Sequence, residues 1–176
     1  SSDYDLPNDT VYAESCASIG LMMFARRMLE MEGDSQYADV MERALYNTVL
    51  GGMALDGKHF FYVNPLEVHP KTLQFNHIYD HVKPVRQRWF GCACCPPNIT
   101  RVLTSIGHYI YTPREDALYV NLYIGNSTEV PVNDQTLRLR ISGNYPWQDQ
   151  VKIAIDSPDP VNHTLALRLP DWDAKI

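Results

Sequence analysis

The chain has 176 residues, 45% of them hydrophobic and 20% charged, and a net charge of -6. This is a globular composition, long enough to bury a core without staples in one domain or two small ones. The acidic balance excludes the basic footprint of a nucleic-acid binder, no apolar run approaches the roughly 18 residues of a membrane span, and the first residues carry no signal-peptide pattern.

In chain order, Ser15 to Glu32 sets Ile19, Met22, Met23, Phe24, Met28 and Leu29 near helical spacing and should stop at Gly33-Asp34. Ser35 is the expected N-cap of a second helix, in which Tyr37, Val40, Met41, Ala44, Leu45 and Val49 recur at three and four residues up to Gly51-Gly52. A short strand, His59 to Val63, should follow the Asp56-Gly57 turn. Residues 64–88 read as irregular, with Pro65, Pro70 and Pro84, and loops of that length are often functional. Pro96-Pro97 suits the first turn of a third helix, whose apolar face is Ile99, Val102, Leu103 and Ile106.

Beyond residue 109 the period becomes two. His108 to Thr112 and Ala117 to Tyr123 read as a hairpin, followed by strands at Glu129 to Val132, Leu137 to Ser142, Val151 to Asp156 and Thr164 to Pro170. That spacing predicts an antiparallel sandwich, with Arg138, Arg140, Lys152 and Arg168 on a half-solvated face. The fold class is therefore α+β, helical over 1–111 and β over 112–176. Both ends read as incomplete: three helices alone cannot bury all their faces, and the last strand runs into Asp171-Trp172-Asp173 with no closing partner.

Three of the four cysteines, Cys92, Cys94 and Cys95, fall in the run Gly91 to Asn98, and Cys16 follows Glu14 by two residues. Adjacent cysteines pair poorly in a disulfide, which leaves a Cys16–Cys92 bridge or a reduced, metal-bound cluster. Glu14, Cys16 and two cysteines of the run would make a tetrahedral set of the kind zinc accepts. A cysteine just before a helix start and beside a metal should also be ionised at neutral pH, hence nucleophilic, because unpaired N–H groups, the helix dipole and the metal favour an anion there. The plainer alternative is three small cysteines packed beneath a helix.

The runs Tyr12-Ala-Glu14-Ser-Cys16, Ala44-Leu-Tyr46-Asn47, Phe61-Tyr62-Val-Asn64-Pro65-Leu66 and Trp89-Phe-Gly-Cys92-Ala-Cys94-Cys95-Pro-Pro-Asn98 resemble the bacterial β-L-arabinofuranosidases of glycoside hydrolase family 127 and its relatives. The resemblance is clear over residues 3–112. It implies a zinc held by Glu14, Cys16, Cys94 and Cys95, with Cys94 as the nucleophile of a retaining mechanism through a thioglycosyl intermediate, and Tyr62 facing the sugar. Cys92 is not implied as a ligand. It implies an (α/α)6 barrel followed by β-sandwich domains, of which this chain would hold the last helices and part of a sandwich. The family's general acid, a glutamate upstream of the Glu-x-Cys motif, would fall before residue 1, so the chain alone is expected to bind zinc without turning over substrate. The implied partner is an arabinofuranosyl oligosaccharide or glycoconjugate, with no nucleic acid and no membrane, in the bacterial cytoplasm; self-association stays open.

His69, His77 and His81 read as ordinary loop residues, with a sugar pocket as the sharper alternative. Trp89 and Phe90 could stack on a sugar face. Asn8, Asn98, Asn126 and Asn162 each open an N-x-Ser/Thr sequon, which a bacterial chain leaves unused. Two further functions compete with the enzyme. A purely structural zinc or thiol module would seal the sulfurs beneath side chains. A carbohydrate-binding sandwich would expose an aromatic strip, whereas Tyr119, Tyr123, Tyr145 and Trp147 form no obvious strip in the sequence.

Overall fold

The computed structural model describes residues 3–4, 7–71, 73, 80–115, 117–132, 135–157 and 163–172. The chain divides into two compact units, Ser1–Ser105 and Ile106–Ile176.

The first unit is built on three helices. Helix α1, Ser15–Glu32, buries Ile19, Met22, Ala25 and Leu29 along one stripe and leaves Phe24 exposed. It ends where Gly33 turns left-handed (φ 75°) and its N–H reaches the Leu29 carbonyl, a conformation that a residue without Cβ adopts freely. Helix α2, Ser35–Arg43, is capped by Asp34, whose carboxylate accepts the Gln36 N–H at 2.9 Å. Ser35 is thus the first helical residue and not the cap: the turn at Gly33 makes Asp34 the extended residue before the helix.

Helix α2 does not continue to Gly51 in regular form. From Ala44 to Leu50 the chain widens into a π-helical segment with Leu45 and Val49 buried. Apolar residues three and four apart suit both windings, so the pattern could not separate them. A Cβ on Gly52 would lie 2.6 Å from the Thr48 carbonyl oxygen and 3.0 Å from Asn64 Oδ1, so this close approach requires glycine. The expected strand at 59–63 is reduced to single bridges, Met53 with Phe60, Phe60 with Gln87 and Glu14 with Val63. Helix α3, Cys95–Thr104, begins one residue before the two prolines and buries Cys95, Ile99 and Val102.

The second unit opens with a short helix α4, Gly107–Ile110, so His108 is helical and not the start of a strand. Among the described residues six strands follow: β1 Tyr111–Pro113, β2 Ala117–Val120, β3 Asn126–Val132, β4 Gln135–Gly143, β5 Val151–Asp156 and β6 Thr164–Leu167. They form two sheets, ordered β1-β2-β6 and β3-β4-β5. Leu118 of β2 packs with Leu137 and Leu139 of β4, flanked by Tyr111, Val130, Ile153 and Leu165, so the apolar positions of both sheets share one core. The second sheet is antiparallel throughout, whereas β6 runs parallel to β2 with Leu118 opposite Leu165. The all-antiparallel expectation fails there because β6 returns only after the chain has built the other sheet, and a long crossover frees its direction. Arg168 is also buried, not half-solvated: its Nε donates to the Asn121 carbonyl at 2.5 Å and its guanidinium lies over the Tyr123 ring. Arg138 keeps the expected solvent face, paired with Glu129 across β3 and β4 at 2.9 Å.

Candidate metal and active site

Two helix starts carry the site. Glu14 is the N-cap of α1 and Cys16 lies in its first turn; Cys94 is the N-cap of α3 and Cys95 its first residue. Neither helix start has a side-chain cap, which leaves the side chains of Glu14 and Cys94 unengaged with their own helix ends. Glu14 is held extended by its bridge to Val63, while Ser15 N–H donates to the Tyr62 carbonyl at 3.0 Å and Ser15 Oγ to the Phe61 carbonyl at 2.9 Å. Asn64 closes this joint by donating to the Ala13 carbonyl and to Ser15 Oγ.

The result is one cluster. A carboxylate oxygen of Glu14 and the sulfurs of Cys16, Cys94 and Cys95 all lie within 4.8 Å of one another. Cys16 and Cys95 sulfurs are 3.5 Å apart, Cys94 and Cys95 3.8 Å, and Cys94 Sγ is 3.4 Å from Glu14 Oε1. Zinc–sulfur bonds of about 2.3 Å and zinc–oxygen bonds of about 2.0 Å, opened to the tetrahedral angle, set sulfur–sulfur separations of about 3.8 Å and sulfur–oxygen separations of about 3.5 Å. These three separations match a tetrahedral ion, and the donor chemistry of the four groups suits one. All four cysteines are free thiols, so the Cys16–Cys92 bridge is not made. Cys92 lies outside the group of four and is exposed.

Burial grades the three thiols. Cys95 is fully buried, Cys16 and Cys94 are half-buried, and so is Glu14. The packing alternative thus describes Cys95 well and Cys94 poorly. Tyr62, itself buried in a ring cluster with Phe60 and Phe90, points its hydroxyl at Cys94 Sγ at 3.1 Å. His81 lies against the Tyr62 ring at 4.7 Å and edge-on to Tyr12 at 6.3 Å, which makes it part of this wall and not an ordinary loop residue. His69 instead faces Glu67 at 3.0 Å on the surface, and His77 lies outside the described residues. Phe90 is core, while Trp89 is exposed.

Without a metal ion, the surroundings of these thiols disfavour the thiolate. The Tyr62 hydroxyl pulls the Cys94 thiol down, but burial and the neighbouring Cys16, Cys92 and Glu14 outweigh it and push the thiol up to about 11. Burial, then Cys16, raises Cys95 as well. A helix start alone does not ionise these thiols, because the groups crowded beside them are themselves anions when deprotonated. Exposed Cys92 is drawn below the ordinary thiol value, first by the Cys94 backbone N–H and then by Tyr62. The hydrogen bond to Cys94, then burial, raises the Tyr62 hydroxyl far above its usual range. Burial and then Glu14 raise Tyr12.

Two site residues escaped the sequence reading, and each had a signal. Asn98 donates its amide to Cys16 Sγ at 3.2 Å and stands three residues after Cys95, on the same helix face. Tyr12 stands two residues before Glu14 in an extended lead-in, where alternate residues share a side. In the second unit, Tyr123, Tyr145, Trp147 and Trp172 line a cavity of about 520 Å³ together with Gln148 and Asp149. The aromatics thus gather in a cleft and not in a strip along the strands.

Residues 1–108 match the family model of the "Beta-L-arabinofuranosidase, GH127 catalytic domain", and residues 117–176 match that of the GH127 middle domain. A non-reducing end β-L-arabinofuranosidase of Bifidobacterium longum subsp. longum is 42% identical over 97% of this chain. The crystal structure of a GH127 β-L-arabinofuranosidase from Geobacillus stearothermophilus T6 is 54% identical over 98% of the chain, with a TM-score of 0.90. A second solved GH127 β-arabinofuranosidase is 38% identical over 98% of the chain, with a TM-score of 0.85. The chain spans 26% of the Bifidobacterium protein and 27% and 25% of the two solved chains. With its helical unit matching the catalytic domain and its sheets the middle domain, the chain belongs to the β-L-arabinofuranosidase family GH127 of the glycoside hydrolases.

Proposed function

We propose that the cluster is the zinc–thiolate centre of a retaining glycosidase that releases terminal L-arabinofuranose or a related sugar, with Cys94 as its nucleophile. The observation that carries this reading is the graded exposure of three thiols at tetrahedral separations, with Cys94 half-open and Cys95 sealed. A bound zinc would supply the positive charge that keeps Cys94 deprotonated near neutral pH. The Tyr62 hydroxyl, 3.1 Å from Cys94 Sγ, orients that sulfur towards the open side. Cys94 sulfur then bonds to the anomeric carbon as the glycosidic C–O bond breaks, and the leaving oxygen takes a proton from a general acid. Water later displaces the sulfur and gives its proton to the same group, which restores the thiolate and retains the configuration. Positive charge builds on the sugar in both steps, and the excess of anionic donors around Cys94 favours it. Glu14 is a ligand in this scheme and is not free to be that acid, so the acid is a different carboxylate, which the family resemblance puts before residue 1.

On this reading residues 1–111 are the last helices of an (α/α)6 barrel and 112–176 part of the sandwich that follows. Four unpaired thiols suit a reducing compartment, which we take to be the bacterial cytoplasm. Among the described residues no helix is long and apolar enough to cross a membrane.

Metal analysis of the purified chain tests the centre. About one zinc per chain is expected, with loss in Cys16→Ser and Cys95→Ser. Zinc binding unchanged in both Glu14→Gln and Cys16→Ser overturns the assignment. Loaded with zinc, the 176-residue chain is expected to release no arabinose from an arabinofuranosyl substrate, and detectable turnover would show that it holds its own acid.

The aromatic cleft favours a second reading for the other unit, a glycan-binding surface. Exposed Trp147 offers a ring face, and Gln148 and Asp149 beside it can pair with hydroxyls. Titration with arabino-oligosaccharides should shift the Trp147 indole resonance, and Trp147→Ala should abolish binding. No shift at millimolar sugar ends this reading.

A further inference from the structure

Three thiolates on one ion are chemically alike, yet the proposed mechanism uses one. Burial removes Cys95 from competition, since it is sealed beneath α3. It does not remove Cys16, which is half-buried like Cys94. The difference between them lies in what each sulfur touches. Cys94 faces the Tyr62 hydroxyl and Glu14. Cys16 faces Cys95 and the side-chain amide of Asn98, whose Nδ2 stands 3.2 Å from the sulfur.

We infer that Asn98 is a positioning residue that fixes Cys16 as a spectator ligand and so leaves Cys94 as the reactive thiolate, an inference that rests on the zinc–thiolate reading above. An amide N–H···S bond draws charge from a thiolate, lowers its nucleophilicity and fixes its direction. Only the NH₂ end of the amide can do this, because the carbonyl end would repel an anionic sulfur. The local fold delivers that end. Helix side chains lean towards the N-terminus, so Asn98, in the first turn of α3, reaches back to the start of its own helix and across to the first turn of α1. The bond spans 82 residues in sequence and joins the two helix starts that supply the donors. Its neighbour Thr100 is occupied elsewhere, donating to the Pro96 carbonyl at 3.0 Å.

Asn98→Asp tests this with no change in volume, replacing the donor by an acceptor, and Asn98→Ala removes the donor. Metal affinity, read by competition with a chromophoric chelator, should fall by about 10–100-fold in either variant. A general loss of packing could weaken binding too, so two further readouts are specific to the sulfur. In the cobalt(II)-loaded chain the sulfur-to-cobalt charge-transfer bands should shift in both variants. In the zinc-loaded chain iodoacetamide, mapped by mass spectrometry, should label exposed Cys92 in every form, Cys94 but not Cys16 in the wild type, and both Cys94 and Cys16 in the variants. In the wild-type chain loaded with ¹¹³Cd, a scalar coupling from the metal to the Asn98 side-chain N–H protons should appear across the sulfur, with no substitution at all. Metal bound with unshifted bands, unchanged labelling and no coupling overturns the role of Asn98 and leaves the zinc reading standing. Failure of the wild-type chain to bind zinc, cobalt or cadmium overturns both.

Discussion

The helix starts of α1 and α3 do the same work by different means. Each has a candidate metal donor at its N-cap and a cysteine within its first turn, and neither has a side-chain cap. At α1 the N-cap Glu14 is extended (φ -69°, ψ 139°) and pinned by a bridge to Val63. At α3 the N-cap Cys94 is already helical (φ -75°, ψ -37°), and two prolines follow Cys95. The turn from extended Glu14 into the helix at Ser15 lets Glu14 and Cys16 both reach the cluster around Ser15. Helical geometry at α3 lets adjacent Cys94 and Cys95 diverge, one to the open side and one into the core. Adjacent cysteines, a poor choice for a disulfide, thus serve to give one ion a buried ligand and an accessible one.

Breaking the α3 start should have the largest effect. Cys95→Ser replaces a buried sulfur by a hydroxyl that is a poor ligand and finds little to bond with. Zinc stoichiometry is expected to fall to near zero, and the thermal midpoint to lose its dependence on added zinc, as differential scanning calorimetry would record. The same measurement on Glu14→Gln should leave weakened but measurable binding, because the sulfurs remain. Equal loss in both variants would mean the two starts are not graded as described.

Ionisation sharpens the comparison next. In the chelator-treated chain Cys94 has a value of about 11 against an ordinary thiol value of 9.0. The folded state then holds this proton more tightly than the unfolded state. The contribution is full below pH 9 and is lost as pH rises towards 11. Cys95, also raised, acts in the same direction. Urea midpoints of the chelator-treated chain should fall across that interval, and Cys94→Ser should flatten the slope. Alkylation of Cys94 should accelerate over the same interval, whereas with zinc loaded it should be nearly independent of pH. A thiol that alkylates at full rate at neutral pH after metal removal would contradict the crowding of anionic groups around it.

Much of this was legible in the residues, and the misses have a common cause. Helix α1 was readable because its period, its stop at Gly33 and its length agree. Glu14, Cys16, Cys94 and Cys95 could be singled out by residue type, but their meeting is a tertiary fact. It depends on the Glu14–Val63 bridge and on Asn64 binding Ser15, neither of which leaves a periodic mark. His81 sits in a stretch without period, so its place against Tyr62 was invisible. The π-helical segment and the parallel pairing of β6 were missed because apolar spacing records which face is buried. It does not record how widely the chain winds or which way a strand returns. The ionisation of metal-free Cys94 is only partly legible for a related reason: the helix dipole is local and readable, while Glu14 arrives from 80 residues away.

Away from the cluster, the second unit should respond in stability alone. Leu139→Ala empties a fully buried position between the two sheets and is expected to cost about 2–5 kcal/mol in urea unfolding. Zinc affinity of the folded variant should match the wild type. A coupled loss of metal binding would show that the β unit and the cluster unfold as one.

The smallest effect returns to helix starts, with α2 as the control. Asp34 does for α2 what no side chain does for α1 or α3, accepting the Gln36 N–H at 2.9 Å and its side-chain amide at 3.0 Å. Asp34→Ala should therefore cost about 1 kcal/mol, the usual worth of a lost cap, with zinc affinity unchanged. Glu14→Gln, at the matching position of α1, should show the reverse pattern in a chelator-treated chain: little change in stability, because Glu14 makes no side-chain cap bond, but a clear loss of metal affinity. If Glu14→Gln instead destabilised the chelator-treated chain as much as Asp34→Ala, Glu14 would be a structural cap first and a ligand second, and the distinction between the helix starts would fall.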